Sequence, residues 1–172
     1  MDQEKLLNQF KAKGLSEFIR KVYFYRMLLA YLFRRFDVAA EMAQEYQLLV
    51  ISNPVYPTYE VLPATLYLGL IAGEMLRRQP SGENVEEERA KWQTMARSCL
   101  EKLKNWDAFA HAVGTDWNIS HKYHLLRAEL AAVGGDTVEA AAAYVCAIQK
   151  AKEHRYVNEE ALARGSALDF FI

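Results

Sequence analysis

The chain has 172 residues, of which 52% are hydrophobic and 25% are charged, and its formal net charge is −1. This composition is typical of a globular protein with a sizeable core and excludes a disordered chain. Acidic and basic residues are interspersed, which argues against a dedicated nucleic-acid-binding protein.

Helical periodicity begins near the N-terminus. We predict a short helix over residues 2–12 and a second helix over residues 17–35, with Ser16 as the N-cap of the second. One apolar side of this second helix comprises Phe18, Val22, Tyr25, Leu29 and Leu32. Another comprises Phe24, Leu28 and Tyr31. Because most of the circumference is apolar, we expect neighbouring helices to cover more than one face.

A third helix is predicted over residues 37–51, and the prolines of "SNPVYP" end it. The next helix runs to Arg78, with either Pro57 or Pro63 in its first turn. Its most apolar run, from Val61 to Gly73, is shorter than the roughly 18 residues that span a membrane. We therefore expect a buried helix and no membrane association.

Cysteine usage and the N-terminus bear on the compartment. Cys99 and Cys146 are isolated within helical patterns among apolar neighbours, which indicates buried thiols and no disulfide framework. The chain opens without a hydrophobic leader. Both observations predict a cytoplasmic protein.

The second half of the chain contains further start and stop signals. Asn84 and Glu87 have capping-box spacing before a helix through residue 105, followed by a short helical turn over residues 106–114. A helix then runs to residue 133 and stops at the glycine pair ending in Gly135. Asp136 is the predicted N-cap of the next helix, and Asn158 that of the last.

Small residues recur around the turn at Gly135. The spacing of Ala128, Gly135, Ala140, Tyr144 and Ala147 resembles a tetratricopeptide (TPR) helix pair, in which alanines let two helix backbones approach closely. Weaker copies are centred on Ala39 and Ala90. We therefore predict one all-α domain, a right-handed α-solenoid of about three antiparallel helix pairs plus a terminal half repeat. The predicted repeats cover residues 17–52, 57–105 and 118–153, and the half repeat covers residues 157–172.

Three longer stretches resemble one family. They are "VYFYRMLLAYLFRRFDVAAEMA", "LEKLKNWDAFAHAVGTDWNISHKYHLLRAELAAVGGD" and "AIQKAKEHRYVNEEALA". They are similar to the helical-repeat segment of large sensor kinases of cyanobacteria and fungi, which joins a protein-kinase-like and predicted ATPase region to GAF and histidine-kinase domains. The resemblance implies a regulatory or interaction segment without its own chemistry.

Two functions follow as hypotheses. The first is a non-catalytic scaffold that binds a protein or peptide, needs no cofactor and uses a groove lined by the first helices of successive pairs. The TPR-like pattern nominates Lys21, Phe24, Tyr31, Lys122 and Glu129 for this groove. The alternative is a small metal-dependent enzyme that uses His121 and His124, although zinc would need a third and usually a fourth ligand.

The last predicted helix carries an apolar edge. Its apolar residues are Leu162, Leu168, Phe170 and Phe171. We expect this edge to be covered by self-association, by the domain itself or by a continuation of the chain.

Overall fold

A computed structural model describes residues 9–10, 13–52, 60–78 and 84–172, with the backbone alone for residues 51 and 52. Within these ranges the chain forms α-helices and one short 3-10 helix, Asp116–Asn118, and no strand. The helices are α1 (Ser16–Leu32), α2 (Phe36–Ser52), α3 (Val61–Arg77), α4 (Val85–Ala112), α5 (Ser120–Val133), α6 (Thr137–Glu153) and α7 (Val157–Phe171). The all-α prediction is confirmed. The predicted helix over residues 2–12, the "SNPVYP" break and the alternative start at Pro57 lie largely or wholly outside the described residues.

The chain divides into two compact units, Met1–Tyr67 and Leu68–Ile172, and the division falls within α3. In the first unit α1 packs against α2 across a short turn. Met27, Ala39 and Ala43 have no or almost no exposed surface, and Phe24 meets Tyr46 at a ring-centroid distance of 6.4 Å. Small residues on α2 thus allow the close approach that the sequence predicts at Ala39.

In the second unit the most extensive packing is between α5 and α6, followed by α6 with α7. The buried face of α6 consists of alanines and one aromatic residue: Ala140, Ala143, Tyr144, Ala147 and Ala151. Fully buried Leu126 and Ala128 lie on α5. The alanines leave room for the facing backbone, and the Tyr144 ring fills the remaining volume.

A glycine sets the closeness of α3 to α4 and α5 within the second unit. A Cβ atom built on Gly69 would lie 2.5 Å and 2.7 Å from the two Cδ atoms of Leu126 and 3.2 Å from Cβ of Cys99. Leu126 is fully buried, so it has little freedom to retreat. Only glycine fits this contact without displacing neighbours.

The same turn ends four helices, α1, α4, α5 and α6. Each has a residue with positive φ after its last turn: Arg34 (56°), Gly114 (70°), Gly135 (81°) and Arg155 (60°). In each case the next amide donates to the carbonyl of an alanine five residues earlier, as from Arg35 to Ala30 (2.8 Å) and from Tyr156 to Ala151 (2.9 Å). A second bond closes each turn, which completes the Schellman arrangement. The predicted stop at Gly135 is confirmed.

Several local predictions need correction. Helix α4 continues to Ala112, without a break near residue 105, because its buried positions continue through Leu103 to Ala110 and no breaker precedes Gly114. Asp136 caps α6 as predicted, accepting a 3.0 Å hydrogen bond from the Glu139 amide. Ser16 and Asn158 instead lie inside their helices, and Asn84 makes no side-chain cap bond.

The middle repeat copy does not behave like its neighbours. Ala39 and Ala140 are fully buried, but Ala90 is exposed on α4. The prediction that Ala90 mediates close helix contact is therefore wrong. Cys99 is buried as expected, whereas Cys146 is exposed. Among the described helices, none combines the length and the apolar character that crossing a bilayer requires.

Candidate functional site

Three of the five predicted groove residues are buried. Phe24, Lys122 and Glu129 retain 3%, 4% and 6% of their exposure, which leaves them no free surface for a ligand. Lys21 and Tyr31 are half-exposed. Lys21, Phe24 and Tyr31 belong to the first unit, and Lys122 and Glu129 belong to the second.

Lys21 and Tyr31 lie on α1, and each contacts neighbouring side chains of the same unit. Lys21 Nζ forms a 3.0 Å ion pair with Glu17, and its ammonium lies 6.0 Å from the centroid of the Phe18 ring. Tyr31 makes edge-to-face contacts with Phe36 and Tyr67, each at 5.6 Å between centroids. These side chains remain partly accessible to a partner.

Lys122 lies at the centre of a polar cluster in the second unit. Its ammonium donates to the Asn118 carbonyl at 3.1 Å and to Nε2 of His121 at 2.8 Å, and it lies 3.4 Å from a Glu159 carboxylate oxygen. The Tyr156 ring lies 4.8 Å away, a cation–π distance. Burial lowers the pKa of Lys122, and Glu159 opposes that shift. The lysine is therefore a structural cation that joins α5 to the start of α7.

His121 is enclosed by the same cluster. Its ring stacks on Tyr156 at 4.5 Å. Burial, and secondarily the charge of Lys122, lowers the pKa of His121 to about 3. Because Lys122 donates to Nε2, the proton of the neutral ring lies on Nδ1, which is buried without a hydrogen-bond partner of normal geometry. His121 is neutral at physiological pH.

The two histidines of the enzyme hypothesis are not surrounded by further metal ligands. Burial lowers the pKa of His124, and its Nδ1 is also buried without a partner. Within the described ranges no group of three or more His, Cys, Asp or Glu residues is placed to hold a metal ion. The Lys122 ammonium also occupies the direction from which a metal would bind Nε2 of His121. No observation favours the metal-dependent alternative.

Glu129 belongs to an ion-pair network between α3 and α5. It accepts a 2.7 Å hydrogen bond from Arg77, which also donates to Glu74, and Arg78 donates to Glu74 at 3.0 Å. Burial, together with the neighbouring Glu129 carboxylate, raises the pKa of Tyr144. Glu129 thus neutralises Arg77 and contacts the α6 aromatic that fills the α5–α6 interface.

A buried charge pair in the first unit was not predicted from the sequence. Glu60 is fully buried, and its carboxylate lies 3.8 Å from the guanidinium of Arg20, which is also buried. Neither Glu60 oxygen has a hydrogen bond of normal length. Burial raises the pKa of Tyr46, and Glu60 adds to the shift while Arg20 opposes it. The sequence contains one signal for this pair, because Arg20 is an arginine on an otherwise apolar side of α1.

The apolar surface of α1 also differs from expectation. Its buried residues are Ile19, Arg20, Tyr23, Phe24, Met27 and Ala30. The side formed by Phe18, Val22, Tyr25, Leu29 and Leu32, hereafter the α1 face, is exposed or half-exposed along its whole length. The prediction that neighbouring helices cover more than one face of this helix is wrong for this side. Tyr23 is buried, whereas Tyr25 is exposed.

Comparisons with known proteins do not extend this picture, because no family model, curated protein or solved structure matches the chain. The resemblance to the helical-repeat segment of sensor kinases stays a prediction that rests on the three quoted stretches.

Proposed function

We propose that this chain is a non-catalytic protein-interaction segment of a cytoplasmic signal-transduction protein. In this proposal the helix pairs stack as a TPR-like α-solenoid and present side chains to a protein or peptide partner. The observation that carries it is the α1 face, an apolar helix surface without a covering element in the described part of the chain. Apolar surface of this kind marks interaction sites on soluble proteins.

The polar clusters support a scaffold over an enzyme. Lys122 and Glu129, which would be candidates for chemistry by burial alone, already have oppositely charged partners within the fold. Their charges are therefore used to hold helices together. Lys21 and Tyr31 remain the accessible members of the predicted peptide groove.

The test begins with the immobilised full chain and native extract of the source organism, with retained proteins quantified by mass spectrometry. Each retained protein is then purified and its binding measured by isothermal titration calorimetry. A defined stoichiometry with one purified protein is the expected result. Absence of retention above bare resin, or of binding after purification, would overturn the proposal.

A further inference from the structure

The α1 face has the spacing of a helix-pairing surface. Its residues follow one another at steps of four, three, four and three, the pattern of the apolar seam in a coiled coil. The exposed fractions are 52% for Phe18, 47% for Tyr25, 50% for Leu29 and 48% for Leu32. Phe10 meets the Phe18 ring at 5.7 Å and extends the apolar surface at the N-terminal end. A helix laid along this seam would find an apolar partner at every turn of α1.

Basic side chains border the seam. Lys21 and Arg26 flank it on opposite sides, in the positions that select partners in coiled coils, and Arg35 is exposed just beyond its C-terminal end. Glu17 is the only acidic residue in α1, and it is already paired with Lys21 at 3.0 Å. Lys21, Arg26 and Arg35 therefore outnumber the one acidic residue of α1.

This border disfavours pairing between two copies of the chain. If two α1 faces met in parallel, Lys21 of one copy would lie beside Arg26 of the other, and in a fully overlapped antiparallel pair the two Arg26 side chains would lie near each other. Like charges at these positions disfavour assembly. The helix that complements the seam carries apolar residues at the same spacing and carboxylates on both of its borders.

We infer that the α1 face binds an amphipathic helix of a partner protein, with apolar residues at three- and four-residue steps and Asp or Glu on both sides of that stripe. This inference rests on the proposed function, since it names the class of partner that the scaffold takes.

The probe is a fluorescein-labelled synthetic helix of about 20 residues, long enough to be helical in water, with leucine at the seam positions and glutamate on both borders. Its binding to the full chain is measured by fluorescence anisotropy at low salt. Leu29→Gln should weaken binding on the order of tenfold, the effect of truncating a central interface anchor. The matched control is Val145→Gln, which changes an exposed apolar residue of α6 and should leave binding unchanged.

A charge-exchange variant distinguishes specific binding to the seam from nonspecific hydrophobic binding. The double variant Lys21→Glu/Arg26→Glu should no longer bind the glutamate-bordered probe and should bind a probe with lysine at the same positions. Leu29→Gln and the double variant alter exposed or half-exposed side chains, and circular dichroism verifies that each keeps its helix content.

Three outcomes would overturn the inference: no binding of the glutamate-bordered probe, equal binding by the charge-exchanged variant, or a wild-type dimer that Leu29→Gln converts to a monomer in light scattering. If wild type still binds a purified partner in calorimetry while the probe fails, the inference falls and the proposed function stands. If no partner is bound at all, the proposed function falls independently.

Discussion

The ammonium of Lys122 donates a 2.8 Å hydrogen bond to Nε2 of His121, so a buried cation faces a neutral imidazole within α5. The pair holds the first turn of α5 against Tyr156 and Glu159, which begin α7. Protonation of His121 would place two positive charges side by side in a buried site. This relationship makes His121 a source of acid sensitivity.

The free energy of unfolding should therefore decrease as the pH is lowered through the range in which His121 is protonated in the unfolded chain but not in the fold. The pKa of His121 is about 3 in the fold, against 6.5 ordinarily. Since the unfolded state binds more protons between these values, the free energy of unfolding should rise with pH from about 3 to about 6.5, by up to about 1.4 kcal/mol per pH unit from this group. Urea unfolding between pH 4 and pH 8 measures the slope.

His121→Phe retains an aromatic ring against Tyr156 and should flatten this slope relative to wild type. The exposed Val145→Gln is the control: it removes no titratable group and should leave the slope unchanged. Parallel pH profiles for wild type and His121→Phe would show that His121 is not the responsible group.

Gly69→Ala should destabilise the protein although alanine is the better helix former. The new methyl group would enter the space of Leu126 and Cys99, and overpacking of this kind costs about 1–3 kcal/mol. Gly165→Ala is the matched control in α7, where the added carbon meets nothing within 4 Å. It should stabilise by up to about 1 kcal/mol through helix propensity alone. Thermal melts that shift in the same direction for both variants would refute the close contact.

Arg20→Met should cost about 3–5 kcal/mol, because it leaves the buried Glu60 carboxylate without a countercharge. The double variant Arg20→Met/Glu60→Met removes both charges and should regain much of that loss. Chemical unfolding of the two single variants and the double variant gives the coupling energy. Additive losses would mean that the two charges do not interact.

Arg155→Gly should stabilise the fold. Arg155 has a φ of 60°, which strains a residue with a Cβ but not glycine, and the expected gain is about 0.5–1 kcal/mol. Lys104→Gly, at an exposed position inside α4, serves as control and should lose about 1 kcal/mol. A destabilised Arg155→Gly would show that the arginine side chain contributes more than the strain removes.

Chelators should not change the melting temperature. No set of three or more metal-ligating side chains is gathered in the residues that the structure describes. Scanning calorimetry measures the melting temperature with and without EDTA, and again after zinc is added back. A large decrease in melting temperature with EDTA that added zinc reverses would support the hypothesis of a metal-dependent enzyme that uses His121 and His124.

Local signals carried most of the successful sequence predictions. The stop at Gly135 and the cap at Asp136 follow from backbone chemistry within a few residues, and the structure contains both. The buried alanines of α6 were also predictable, because small residues at helical spacing have a direct packing consequence.

The misses depend on tertiary context. Alpha1 is apolar around most of its circumference, so periodicity could not decide whether the side of Leu29 or the side of Met27 enters the core. Ala90 fits the repeat spacing, yet alanine is equally suited to an exposed helix position. Lys122 and Glu129 were assigned to a groove by the TPR-like pattern alone. Their ion-pair partners in the buried clusters, Glu159 and Arg77, lie far away in sequence, so their burial could not be read from that pattern.

The Schellman turns that end α1, α4, α5 and α6 have a consequence for how these helices are delimited. Each six-residue segment from the alanine carbonyl to the closing amide, such as Ala131 to Asp136, supplies the same hydrogen bonds and the same left-handed residue. The end of each of these helices is therefore marked by its left-handed residue, which is Arg34, Gly114, Gly135 or Arg155. Helix length can then vary, as the length of α4 shows, while the backbone leaves each of these helices through the same turn.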